Sequence, residues 1–177
     1  LAGTAAFGSQ REGELRRCLA ELGVTDLRVL GVPDGGCPEA DAEQQVAAIA
    51  AVIDEVDPEV VVTFGPDGMT WHPDHQAVSA WTTQAWARTG ATADLLYASM
   101  TEEFASTHQA LHERIGLFAD WGPGHAATIP LAEVALEAAM TPAELARKRR
   151  ALGHHASQID GVVAAFGEAS YLQWLHQ

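Results

Sequence analysis

Residues 58–64 read PEVVVTF, and the run of three valines, a threonine and a phenylalanine constrains the fold more than any other stretch. It lacks the in-out alternation of a half-solvated strand, which favours a strand buried on both faces of a parallel sheet. Its flanks fit such a sheet. DAEQQVAAIAAVIDEV (41–56) has helical spacing before it, HQAVSAWTTQAWARTG (75–90) reads as a helix stopping at Gly90 after it, and ADLLYASM (93–100) reads as the next strand. Strands alternating with helices imply right-handed crossovers. The expected fold is a three-layer, Rossmann-like α/β domain with a mainly parallel sheet and 58–64 near its centre.

The remaining segments are read in the same way. SQREGELRRCLAEL (9–22) places Leu15, Leu19 and Leu22 on one helical face, with Ser9 as its expected cap and Gly23 as its stop. LRVLGV (27–32) reads as a short buried strand ending in the turn Pro33-Asp34-Gly35-Gly36. Residues 101–113 are helix-like, and HAATIPL (125–131) suits an edge strand. TPAELARKRRALGHHASQI (141–159) reads as one helix, with Thr141 as cap, Pro142 in the first turn and Glu144 completing a capping box. At 177 residues, without repeats or a low-complexity linker, the chain suits a single domain over 1–177.

Composition removes several function classes. The net charge of −14 disfavours nucleic acid as a partner, since phosphate binding needs a basic face. Arg16-Arg17 and the RKRR run at 147–150 lie in helical patterns and read as solvated faces. No apolar run is long enough for a membrane span. Cys18 and Cys37 have neither the density of a disulfide framework nor CxxC spacing, so free thiols of a reducing, cytoplasmic compartment are expected. No Gly-x-Gly-x-x-Gly or Walker loop is present, which disfavours a nucleotide-binding domain.

Two polar loops follow strands, where open α/β sheets gather their ligands: Pro33-Asp34-Gly35-Gly36, and GPDGMTWHPDH over 65–75. Each carries Pro-Asp-Gly, a turn whose carboxylate commonly bonds its own backbone. The second adds His72, Asp74 and His75. Two imidazoles three residues apart at a loop–helix junction can hold a metal or move protons, and Asp74 can ligate or orient them. The same residues can also simply open a helix. One histidine and one aspartate fall short of the three protein ligands usual at a catalytic zinc.

FGPDGMTWHPDHQAVSAW resembles the second signature of the PIG-L (LmbE-like) family of zinc-dependent N-acetylglucosaminyl deacetylases. REGELRRCLAELGV, LRVLGVPDGG and KRRALGHHASQI resemble further family segments, in the same order. The resemblance implies an LmbE-like fold and hydrolysis of the N-acyl amide of an N-acetylglucosaminyl substrate, such as an N-acetylglucosaminyl inositol or a related thiol conjugate. It makes His75 a zinc ligand, with iron able to take zinc's place. It makes His72 the group that stabilises the oxyanion or protonates the leaving amine, with Asp74 as its partner, and sets Arg11 and Asp34 near the sugar. The implied partner is a small N-acetylated amino sugar, and a homo-oligomer is left open.

The chain departs from the family at two points. Family members carry His-Pro-Asp-Asp-Glu after their first strand, supplying the other metal ligands and the general base, and no His-Pro-Asp-Asp stands in these residues. The resemblance thus implies a domain lacking its N-terminal β-α-β unit, weak zinc binding and little activity in this chain alone. The alternative is an inactive relative that binds a sugar or a partner. Trp71 stands where the family commonly has glycine and is expected to narrow the pocket. His154, beside the matched His155, is expected at the surface.

Overall fold

The computed structural model describes residues 5–90 and 92–175. The chain divides into two compact units, Leu1–Val29 with Ala135–Gln177, and Leu30–Val134.

The first unit is helical: α1 (Ala5–Leu22), α6 (Pro142–Gly153), α7 (Ala156–Phe166) and α8 (Glu168–Leu175). Ser9 is not a cap, because α1 already runs through it. Gly23 does end the helix, at φ 79°, where glycine adopts a left-handed backbone without strain. Thr141, Pro142 and Glu144 form the expected capping box of α6. The single helix expected over 141–159 is broken at His154-His155, and α7 starts afresh at Ala156. Glu14 accounts for that new start. Its carboxylate is only 3% exposed and accepts from the Ser157 amide at 3.1 Å and the Ser157 hydroxyl at 2.5 Å. A carboxylate on the first-turn amides satisfies donors that an uninterrupted helix would spend internally. Arg147 Nε, donating to the Glu21 carbonyl at 2.7 Å, and the Arg150–Glu21 ion pair at 2.8 Å join α6 to α1.

The second unit holds α2 (Ala42–Val56), β1 (Val60–Phe64), α3 (Pro73–Thr89), β2 (Asp94–Ala98), β3 (Met100–Thr101), α4 (Glu102–Thr107), α5 (Gln109–Ile115) and β4 (Thr128–Ile129). It is α/β with parallel strands. β1 pairs with β2, Val61 opposite Leu95, and β3 pairs with β4. Asp41 caps α2 by accepting from the Gln44 amide, and Gly90 ends α3 at φ 62°. Val46 and Ile53 of α2 pack with Trp81 and Ala85 of α3, and Val61 and Val32 lie against this core.

Three expectations are corrected here. Residues 27–32 form no strand: they have no ladder partner among the described residues, Gly31 turns left-handed at φ 75°, and Val29 and Leu30 are 61% and 41% exposed. Among the described residues β1 is not central, because its one ladder there is with β2. It is not buried on both faces either. Val61 meets the helices, whereas Val60 and Val62 are 44% and 67% exposed. A pleated strand alternates its faces whatever its sequence, and α2 and α3 cover only the Val61 face. The helix-like 101–113 stretch becomes α4 and α5, which meet at His108.

Candidate functional site

The histidine loop is set by its glycines and by α3. Asp67 makes the local turn expected of Pro-Asp-Gly, its Oδ1 accepting from the Met69 amide at 2.6 Å. Gly68 sits at φ 71°, with Gln76 N and the His75 Cβ only 3.0 Å from where its own Cβ would stand. Met69 and Trp71 follow at φ 64° and 62°. For bulky side chains that region costs on the order of 1–2 kcal/mol each, so the surroundings must hold the loop in place.

His72 is the N-cap of α3. Its Nδ1 accepts from the Asp74 amide at 3.1 Å, and an accepting Nδ1 leaves the ring proton on Nε2. His75 is set the other way. Its Nδ1 lies 3.0 Å from the Gly68 carbonyl, which can only accept, so Nδ1 carries the proton and Nε2 keeps a lone pair. The His75 ring stacks on Phe64 at 4.1 Å between centroids and 3° between planes, and lies 4.9 Å from the His72 ring. The pair therefore presents one N–H and one lone pair from neighbouring rings.

Asp74 does not serve as the expected partner of the His72 imidazole. Its carboxylate is buried at 9% exposure and accepts from the Gly35 amide at 2.7 Å and the Cys37 amide at 3.1 Å. It fastens the two Pro-Asp-Gly loops together, and its backbone N–H, not its carboxylate, meets His72. Asp34 lies on the fastened turn, next to Gly35, with an exposed side chain. Burial first, then the negative charges of Asp74 and Asp34, push the Cys37 thiol above its ordinary range. The two loops thus share one end of the unit. Arg11 belongs to the helical unit, where its guanidinium lies 5.9 Å from the centroid of the Phe7 ring.

The described residues offer a metal one well-oriented ligand, the Nε2 of His75. No group of three His, Cys, Asp or Glu side chains suited to an ion stands among them. This fits one position of a zinc site and no more.

Motif reading missed the segment opposite His72. The Trp121 ring lies 4.9 Å from the His72 ring, tilted by 59°. Trp71 Nε1 donates to the His125 carbonyl at 2.7 Å. The only hint in the sequence is WGPGH (121–125), a Gly-Pro-Gly turn between an aromatic and an imidazole. A cavity of about 480 Å³ beside this segment is lined by Gln109, His112, Phe118 and His125, and by neither His72 nor His75.

Residues 2–86 match the family model described as PIG-L, GlcNAc-PI de-N-acetylase. Several similar proteins are named 1D-myo-inositol 2-acetamido-2-deoxy-alpha-D-glucopyranoside deacetylase. The one from Streptomyces avermitilis is 40% identical over 86 residues, covering 40% of this chain and 29% of its own length. The one from Rhodococcus jostii is 35% identical over 183 residues, covering 86% of this chain and 62% of its own. A second form of the enzyme, from Catenulispora acidiphila, is 41% identical over 85 residues, 28% of its length. The chain thus spans between 28% and 62% of the length of these relatives. With both Pro-Asp-Gly loops and the histidine pair inside the matched residues, the chain belongs to the PIG-L family.

Proposed function

We propose that this chain carries the histidine portion of a metal-dependent N-deacetylase site. The substrate is an N-acetylglucosaminyl conjugate, such as the N-acetylglucosaminyl inositol named for its relatives, and water converts its acetamide to amine and acetate. The carrying observation is that the two Nδ1 atoms take opposite partners, the Asp74 amide at His72 and the Gly68 carbonyl at His75, with the rings 4.9 Å apart. The Nε2–H of His72 is the donor for the developing oxyanion, or for the departing amine nitrogen. The free Nε2 of His75 is a metal-ligand position, with its tautomer fixed by the Gly68 carbonyl. Zinc, or iron with the same ligands, would polarise the acetamide carbonyl and lower the pKa of a bound water. Asp74 positions this apparatus by tying Gly35 and Cys37 to the start of α3. Asp34 on that turn is assigned to the sugar hydroxyls. Small-molecule chemistry accords with the acidic chain, and among the described residues no helix is long and apolar enough to cross a membrane.

The test is zinc-dependent acetate release from N-acetylglucosaminyl inositol, with the chain alone and with a strand ending in His-Pro-Asp-Asp-Glu placed before it. The chain alone should release little acetate and bind zinc weakly in a chelator competition, because one imidazole is too few ligands. The extended protein should gain both properties. His75→Ala should then abolish them, and His72→Ala should slow turnover by roughly 10²–10⁴-fold with zinc still bound. Activity that survives His75→Ala sinks the reading. A sugar-binding module without catalysis is the second reading, favoured by the lack of a three-donor group among the described residues. It requires sugar binding without acetate release in either protein.

A further inference from the structure

The Trp71 backbone is left-handed, a conformation a bulky side chain keeps only when something outside the loop holds it. Segment 121–125 supplies that hold twice. The indole N–H donates to the His125 carbonyl at 2.7 Å. The indole face also rests on Gly122, where a Cβ would stand 2.4 Å from Trp71 Cγ and 2.7 Å from Trp71 Cβ. Those are ring-root and backbone-proximal atoms that cannot swing aside, and Gly122 is itself at φ 64°. Only glycine fits there. Residue 121 is consequently fixed beside the histidines, with the Trp121 ring 4.9 Å from His72 and still 41% exposed. Trp121 thus keeps part of its aromatic surface open to solvent directly beside the His72 ring.

We propose that Trp121, seated by the Trp71–Gly122 clasp, is the specificity-determining wall of this site. Its exposed face stacks on the C–H face of the sugar ring whose acetamide reaches His72. The proposal rests on the deacetylase reading for the identity of that sugar. Aliphatic C–H groups carry slight positive charge and an indole face is negative, so a pyranose lies flat on it. Trp71 is a positioning residue, acting through Gly122 and His125 without touching the sugar.

Two measurements on the 177-residue chain test this. The first is amide hydrogen exchange over 117–127. Trp71→Phe, which keeps an aromatic ring at Cβ and loses the indole N–H, should speed exchange there about fivefold, the loss of one ordinary hydrogen bond. Gly122→Ala should do at least as much, with α2 and α3 unchanged. Unaltered exchange in both variants overturns the clasp. The second is an NMR titration with methyl N-acetylglucosaminide. The probe should move the Trp121 and His72 ring signals. Trp121→Ala should weaken binding about fivefold or more, and Trp121→Phe should largely restore it. Equal binding by wild type and Trp121→Ala overturns the wall, while shifts at His72 would leave the deacetylase reading standing. Shifts at Trp121 with none at His72 or His75 would support a sugar wall and count against deacetylation. No shift at tens of millimolar probe overturns the wall, and acetate release then judges the enzyme reading separately.

Discussion

At the scale of single residues, the distinction that matters is between chemistry and position. His72, Asp74 and His75 are consecutive members of one motif, yet their hydrogen bonds assign them different tasks. Each imidazole engages the backbone through Nδ1, and the carboxylate accepts from the Gly35 and Cys37 amides. Asp74→Ala should therefore act first on stability, stranding two amide donors at a cost of about 1–3 kcal/mol. Urea unfolding measures this, and Asp74→Asn should recover part of the loss because its carbonyl oxygen can still accept one amide. If the alanine variant is as stable as the parent, the loop tie is without weight. The nearness of His72 to His75 was legible from their spacing. The direction of the Asp74 carboxylate was not, because its partners lie 37 and 39 residues away in the chain.

At the scale of elements, caps and stops were readable because they depend on neighbours in sequence. Thr141 with Glu144, Gly23 and Gly90 act where local chemistry places them, whereas Ser9 lies inside α1 and caps nothing. The break between α6 and α7 was not readable, because the carboxylate that receives α7 comes from α1, 143 residues earlier. The α4–α5 pair carries a different consequence. His108 and His112 are 5% and 4% exposed, with centroids 6.2 Å apart beside Phe104 and Phe118. Burial lowers both below the ordinary histidine value, and for His112 the neighbouring His108 adds to it. The native state thus binds fewer protons than the unfolded chain, so the stability they contribute is whole above the unfolded value near 6.5 and declines as pH falls below it. Hydrogen exchange over 104–118 should quicken between pH 7.5 and pH 5.5, after correction for intrinsic rates. His108→Leu should flatten that dependence, and an unchanged profile in the variant would rule out His108 as its source.

At the scale of the whole molecule, β1 is where the reading of the chain and the packing part company. Val61 lies against the core of α2 and α3, and Val62 faces away with 67% of its surface exposed. Val61→Ala should cost about 1–2 kcal/mol, and Val62→Thr should stay within about 0.5 kcal/mol of the parent. Comparison of the two urea midpoints checks this, and a Val62 penalty as large as that of Val61 would mean that something buries this face in solution. Local patterns determined a good deal of this protein by themselves: helix period, caps, turns, and the order of β1, α3 and β2, because those depend on residues a few positions apart. The meeting of the two Pro-Asp-Gly loops was expected from a strand before each, yet 27–32 is no strand and the Asp74 carboxylate is what joins them. Three outcomes were left to tertiary structure: which valines of β1 face a helix, where the Asp74 carboxylate points, and that Trp121 stands against His72. Each turns on contacts between groups distant in the chain, and a valine run, an aspartate or a tryptophan reads the same in sequence whichever neighbour folding brings to it.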